Sequence, residues 1–121
     1  MSNRPVVLVV EDDVLVRVVT TEILEENGYA PLVASSADEG LVTLVNRPEV
    51  EVVVTDVILP GTLDGLGFVS EIRKRWPHKA VVVTSGRAPE MAAANAPNTV
   101  FLQKPFDQKA LVAALSQAQT V

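Results

Sequence analysis

Short apolar runs rich in β-branched residues alternate with segments of helical period along this chain. The first run, Val6–Val10, is continuous rather than alternating, as expected for a strand buried on both faces. Pro31 in the second run places that strand near a sheet edge, because proline cannot donate a ladder hydrogen bond. The same pattern predicts four further strands, at Ala30–Ala34, Val50–Thr55, Ala80–Thr84 and Thr99–Gln103.

The segments between the runs carry apolar residues at three-and-four spacing, which predicts amphipathic helices. The first helix is expected to end at Asn27-Gly28 and to turn one stripe inward, made of Leu15, Val18, Val19 and Ile23. A capping box of Ser36 with Glu39 opens the second helix. The later helices are expected to bury Leu41, Leu44 and Val45, then Phe68, Val69, Ile72 and Trp76, with a short helix at Pro89–Ala96 and a closing helix at Asp107–Gln117 that buries Leu111, Val112 and Leu115.

Five strands alternating with five helices predict an α/β fold, a doubly wound parallel sheet with helices on both faces. The length of 121 residues predicts one domain, residues 1–121, with no output domain. The formal net charge of −5 argues against nucleic acid as a partner. Cysteine is absent, which excludes disulfides and thiolate metal sites. Nothing resembles a signal peptide or a membrane span, so we expect a cytoplasmic protein with no membrane contact.

Polar clusters stand at or just after the ends of four predicted strands. They are Glu11-Asp12-Asp13, Asp56, Thr84-Ser85 and Lys104-Pro105. In an open parallel sheet the carboxyl ends of the strands line one edge, where ligands bind. We therefore expect several carboxylates, a hydroxyl and an amine to meet in one pocket, which suits a divalent cation together with a transferable phosphoryl group.

With these clusters in this order, the chain resembles a receiver domain of two-component response regulators (CheY-like) over essentially its whole length. That family has an acidic pair after strand one, an Asp after strand three, a Thr or Ser after strand four and Lys-Pro after strand five. The resemblance implies a (βα)5 flavodoxin-like fold with strand order 2-1-3-4-5. It also implies a phosphoacceptor function in two-component or phosphorelay signalling.

The resemblance implies that Asp56 accepts the phosphoryl group, and a carboxylate is a suitable nucleophile for that step. Asp12 is then the direct Mg²⁺ ligand, and Glu11 acts through a bound water. The backbone carbonyl of Ile58 completes the set of ligands that the protein provides. Mg²⁺ prefers such oxygen ligands, and Mn²⁺ is an alternative ion. Glu11 stands where Asp is commoner in the family. Asp13 is expected only to cap the following helix.

The resemblance also assigns roles at the ends of strands four and five. Lys104 is implied to pair with Asp56 at rest and with a phosphoryl oxygen afterwards, and the Lys104–Pro105 bond to be cis. Thr84 is the implied switch hydroxyl, coupled to Phe101, for which a plain core role is equally open. The two positions implied to tune the phosphoryl lifetime are Ile58 and Gly86.

The implied partners are a histidine kinase or phosphotransfer protein and a downstream protein that reads the face Pro89–Gln117. The chain itself is expected to be a monomer or weak dimer, and not an enzyme beyond its own phosphorylation and dephosphorylation. Three alternatives stay open: a receiver excised from a hybrid kinase or longer regulator, a phosphorylation-independent binding module, and a phosphoester hydrolase. The hydrolase would need a general acid where Ile58 stands, and because Ile58 cannot serve as one, this counts strongly against that alternative.

Overall fold

The computed structural model describes residues 4–86 and 98–119. Five parallel strands form one sheet in the order β2-β1-β3-β4-β5, which confirms the predicted order. Strands β3 and β4 run one residue further than predicted. The strand bounds are β1 Val6–Val10, β2 Ala30–Ala34, β3 Val50–Asp56, β4 Ala80–Ser85 and β5 Thr99–Gln103.

Four helices are described, and they are numbered here in chain order: α1 Val14–Glu26, α2 Ala37–Asn46, α3 Gly65–Arg75 and α4 Gln108–Gln119. The short helix predicted over residues 89–96 lies outside the described residues. The closing helix α4 begins one residue later and runs two residues further than predicted.

Each described helix begins at a polar residue whose side chain accepts a backbone hydrogen bond. Asp13 caps α1 in this way, accepting from the N–H of Val16 at 3.1 Å, as predicted. Ser36 caps α2 through the N–H of Glu39, but the Glu39 carboxylate binds Ser35 instead of closing the predicted capping box. These caps satisfy N–H groups that the helices leave open, and so fix where each strand-to-helix turn ends.

Apolar side chains fill both layers between sheet and helices, which explains why the strands are apolar without alternation. One face of the sheet packs against α2 and α3, with Leu44, Phe68 and Ile72 fully buried. The other face packs against α1 and α4, with Leu24, Leu111 and Leu115 fully buried. Because helices cover both faces of the sheet, a ligand can reach it only at the ends of the strands.

The predicted inward stripe of α1 is wrong for three of its four residues, and Ile23 alone of the four packs against the core. Leu15 is 72% exposed, and Val18 and Val19 are also exposed, whereas Thr20 and Leu24 are buried. Thr20 tolerates burial because its hydroxyl donates to the carbonyl of Val16 at 2.7 Å within the same helix. The helix carries apolar residues on more than one side, so periodicity alone does not select the side that meets the sheet. In α2, Val45 is likewise exposed, contrary to prediction, while Leu44 is buried.

Candidate functional site

The polar clusters at the strand ends meet at the carboxyl edge of the sheet, as predicted. Asp56 is the last residue of β3 and lies opposite Thr84 of β4 in the strand register. Glu11 follows β1, and its N–H still bonds to the carbonyl of Ala34 at 3.0 Å. Lys104 follows β5 and continues the pairing with β4, because its N–H donates to the carbonyl of Ser85 at 2.7 Å. Regular strand pairing therefore places these residues.

Three carboxylates converge at this edge. Glu11, Asp12 and Asp56 each offer one oxygen, and these oxygens lie within 4.8 Å of one another. Glu11 is buried, Asp56 is half-buried and Asp12 is exposed, so a cation could reach the group from solvent. An all-oxygen set with room for water suits Mg²⁺. The N–H of Ile58 donates to Asp56 at 3.3 Å, and the predicted metal contact of the Ile58 carbonyl stays a prediction.

Lys104 bridges two of the three carboxylates. Its Nζ lies 2.8 Å from Asp56 Oδ2, which matches the predicted resting pair, and 2.9 Å from Glu11 Oε1, which was not predicted. Burial alone lowers the pKa of Lys104, but the hydrogen bonds to Asp56 and Glu11 outweigh it, so the pKa of Lys104 is raised above 10.5. Burial raises the pKa of Glu11 above its ordinary value, although the bond from Lys104 opposes that rise.

The residues predicted to act in the switch and in the phosphoryl lifetime lie on or just after β3, β4 and β5. The Thr84 side chain is buried, and its hydroxyl donates over 3.4 Å to the carbonyl of Thr55. Phe101 is half-buried and packs against the α2–α3 side of the core. Ile58 is 63% exposed, and a Cβ added at Gly86 would meet none of the described residues within 4 Å. The Lys104–Pro105 peptide bond is cis, as implied.

Two further residues that support the site went unnoticed in the sequence. Gly65 begins α3 so close to β3 that an added Cβ would lie 2.0 Å from the Asp56 carbonyl oxygen. Arg17 of α1 donates from Nη1 to the Glu11 carbonyl at 2.8 Å. The signal for Gly65 was the Asp64-Gly65 pair at a helix start. The signal for Arg17 was a cation one turn into α1, beside an otherwise acidic edge.

Comparison with known proteins fits this geometry. The family model described as the response regulator receiver domain matches residues 7–116. The chain belongs to the receiver domain family. Among solved structures, this receiver resembles the receiver domain of NtrX from Brucella abortus, with 32% identity and a TM-score of 0.82, covering 93% of this chain and 97% of that one. It also resembles a response regulator receiver domain protein from Clostridium thermocellum, with 30% identity and a TM-score of 0.84, covering 95% and 94%.

Curated relatives of this receiver are longer proteins. An NtrX-like response regulator of Rickettsia bellii is 34% identical over 116 residues, which cover 93% of this chain and 24% of that protein. The sensor kinase CckA of Brucella abortus is 34% identical over 121 residues, 97% of this chain and 13% of that protein. The receiver thus spans about a quarter or less of the length of these relatives. In residues 4–86 and 98–119, no helix has both the length and the apolarity to cross a membrane.

Proposed function

We propose that this receiver is a cytoplasmic phosphoacceptor that takes a phosphoryl group on Asp56 from a histidine kinase or phosphotransfer protein. The observation that carries the proposal is the bridge of Lys104 between Asp56 and Glu11, at 2.8 and 2.9 Å. An ammonium held beside a half-buried carboxylate is placed to balance the negative charge of an arriving phosphoryl group. Both kinds of longer relative, a response regulator and a sensor kinase, are consistent with a receiver in phosphoryl-transfer signalling.

The transfer itself needs little from the chain beyond position and charge. A carboxylate oxygen of Asp56 forms the new P–O bond while the P–N bond to the donor imidazole breaks, and the imidazole nitrogen keeps that electron pair. Asp12, Glu11 and Asp56 would hold Mg²⁺, which when bound offsets the repulsion between the carboxylate and the phosphoryl oxygens. Lys104 balances the remaining charge and keeps Asp56 oriented in the resting protein.

Thr84 supports a switch in this proposal. Its hydroxyl rests on the Thr55 carbonyl at a long 3.4 Å, a bond weak enough to be exchanged for a phosphoryl oxygen. That exchange would draw the β4 end inward and bias the packing of Phe101, and a downstream protein would read the change over residues 89–117, of which 89–97 lie outside the described residues. Ile58, which is exposed beside Asp56, and Gly86, two residues after Thr84, would set how easily water reaches the phosphoryl group.

The exposed side of α1 supports a docking place for the donor. Leu15 and Val19 line an apolar groove of about 470 Å³ whose other wall is Lys104, Pro105 and Phe106. A donor must bring its phosphohistidine within bonding distance of Asp56, so it must cover this rim. Apolar residues that serve neither the core nor a helix partner are typical of interaction surfaces.

The test is phosphorylation by a small donor, followed by intact mass. Acetyl phosphate with Mg²⁺ should add one phosphoryl group to the wild-type chain and none to Asp56→Asn. Asp38→Asn is the matched control, because Asp38 is an exposed carboxylate outside the three-carboxylate group. An adduct on Asp56→Asn, or equal labelling without Mg²⁺, would contradict the proposed roles of Asp56 and of the ion. No adduct on the wild-type chain would contradict the proposal as a whole and favour the phosphorylation-independent binding module.

A further inference from the structure

Glu11 is held at each of its polar atoms. Its N–H donates to the Ala34 carbonyl at 3.0 Å, and its carboxylate accepts from Lys104 at 2.9 Å and from the N–H of Asp13 at 3.2 Å. The fourth tie is different, because it comes from a helix side chain: Arg17 Nη1 donates to the Glu11 carbonyl at 2.8 Å. Three of the four ties come from strand or loop neighbours, and Arg17 alone among them joins the β1 end to the body of α1.

Arg17 acts on the turn that carries Asp12. Its own N–H donates to the Asp13 carbonyl at 2.9 Å, while its guanidinium reaches back to the carbonyl of Glu11. Asp13 is fixed as well by capping Val16. The backbone on both sides of Asp12 is therefore fastened to the first turns of α1, which fixes the direction in which the exposed Asp12 carboxylate leaves the chain. Without the Arg17 side chain, the carbonyl of the Glu11–Asp12 peptide group loses the hydrogen bond that sets its orientation, and Asp12 is held less firmly.

We propose that Arg17 is a positioning residue for the cation site, which holds Glu11 and Asp12 in the arrangement that binds Mg²⁺. This inference rests on the proposed function, because it assumes that the three carboxylates bind Mg²⁺. Arg17 is not among the three carboxylates that would hold the cation, and it would act through the Glu11 carbonyl. Groups that orient metal ligands in this way commonly change metal affinity by about tenfold or more when removed.

Charge and position predict opposite results for loss of Arg17. A guanidinium beside a cation site repels the cation, so removing the charge alone should tighten Mg²⁺ binding. Removing a positioning contact should weaken it, because the carboxylates must then be ordered when the ion binds. The direction of the change in Mg²⁺ affinity therefore separates the two effects, and a purely structural role would change stability without changing that affinity.

The experiment is a calorimetric Mg²⁺ titration of three variants, with urea unfolding of each as a check of folding. Arg17→Met removes charge and donor, and we expect Mg²⁺ to bind about tenfold more weakly than to wild type. Arg17→Lys keeps the charge and one donor group, so its Mg²⁺ affinity should fall by less than that of Arg17→Met. Arg47→Met is the matched control, since Arg47 pairs with Glu49 just before β3, at the opposite edge of the sheet, and should bind Mg²⁺ as wild type does.

Equal or tighter Mg²⁺ binding by folded Arg17→Met would overturn the inference, while leaving the proposed function intact. No Mg²⁺ binding by the wild-type chain would overturn the proposed function and the inference with it. If Arg17→Met does not fold, Arg17→Gln takes its place with the same expectation, because its amide is too short to reach the Glu11 carbonyl. Weaker binding in that variant supports the inference, and unchanged binding overturns it.

Discussion

Lys104 stands between two carboxylates that would otherwise face each other alone. Its side chain is 24% exposed, that of Asp56 13% and that of Glu11 6%, so water screens this group poorly. Like charges held together in such a place repel strongly, and a shared ammonium relieves that repulsion. In the metal-free chain, Lys104 therefore does for the two acids what a cation would do.

Lys104→Met should lower the free energy of unfolding by about 2 kcal/mol in the absence of Mg²⁺, because two charged hydrogen bonds are lost. Mg²⁺ should restore more stability to this variant than to wild type, since it replaces the missing positive charge. Urea unfolding with and without Mg²⁺ measures both effects. Lys74→Met is the control: Lys74 is 72% exposed and lies 3.8 Å from Glu71, so its loss should matter little. Equal losses in the two variants would contradict this account.

Lys79 is a second lysine held away from water, at the opposite edge of the sheet. It is 6% exposed, and its Nζ donates to the carbonyls of Val50 at 2.5 Å and Pro48 at 3.2 Å. Burial lowers the pKa of Lys79 below its ordinary 10.5, although nearby Glu49 and Glu51 oppose the shift. Among the described residues the hydrogen-bond partners of Lys79 are carbonyls and not carboxylates, so the charge of this ammonium is costly in the folded chain.

The lowered pKa of Lys79 predicts a rise in stability toward alkaline pH. Between the folded-state pKa and 10.5, the unfolded chain binds more protons than the folded chain, so the free energy of unfolding increases with pH. Lys104, whose pKa is raised, contributes in the opposite sense only above 10.5. Urea unfolding of wild type and Lys79→Met, followed by Trp76 fluorescence as pH rises toward 10.5, isolates the effect. Parallel curves for the two proteins would contradict it.

At the scale of elements, α1 shows what the sequence could and could not predict. The site was predictable because parallel strands end at one edge, so each polar cluster after an apolar run had to join the others. The buried side of α1 was not predictable from the sequence, because the exposed residues form as regular a stripe as the buried Thr20 and Leu24. These exposed residues are Leu15, Val18 and Val19. Which stripe meets the sheet depends on the rotation of the helix about its own axis, and the pattern along the chain does not encode that rotation.

Two leucines of α1 provide a matched test of this orientation. Leu24→Ala should lower the free energy of unfolding by about 3 kcal/mol, because Leu24 is fully buried in the core and leaves a cavity. Leu15→Ala should change it by less than about 0.5 kcal/mol, because Leu15 is 72% exposed. Chemical denaturation measures both. Similar losses for the two variants would place Leu15 in the core and remove the support for a docking groove on α1.

The start of α3 depends on close contact between backbones. Gly65→Ala should cost about 2 kcal/mol, because its Cβ would lie 2.0 Å from the Asp56 carbonyl oxygen and would push α3 away from the site. Gly67→Ala, two residues on, meets first the flexible end of Leu63 at 2.7 Å and gains helix propensity, so it should be close to neutral. Thermal unfolding measures the stability of both variants. If Gly65→Ala is as stable as wild type, α3 can move away from β3 without a loss of stability.

At the scale of the molecule, charge is divided unevenly between the two edges of the sheet. The net charge is −5, and three carboxylates share one small region of the carboxyl edge. At the other edge lie Lys79, with Glu49 and Glu51 near it, and Arg73, whose guanidinium donates to the carbonyls of Pro77 and Lys79. Such a distribution draws cations toward the carboxyl edge and makes general salt screening and specific Mg²⁺ binding act in the same direction.

Screening and binding can be separated by their dependence on concentration. A specific site should raise the free energy of unfolding by about 1.4 kcal/mol for each tenfold increase of Mg²⁺ above its Kd. Na⁺ at matched ionic strength should give a smaller rise, because it only screens. Asp12→Asn should keep the Na⁺ response and lose most of the Mg²⁺ response, because it removes the most exposed of the three carboxylates. If wild type and Asp12→Asn respond equally to Mg²⁺, the ion binds diffusely to the acidic edge, and the three carboxylates do not form its site.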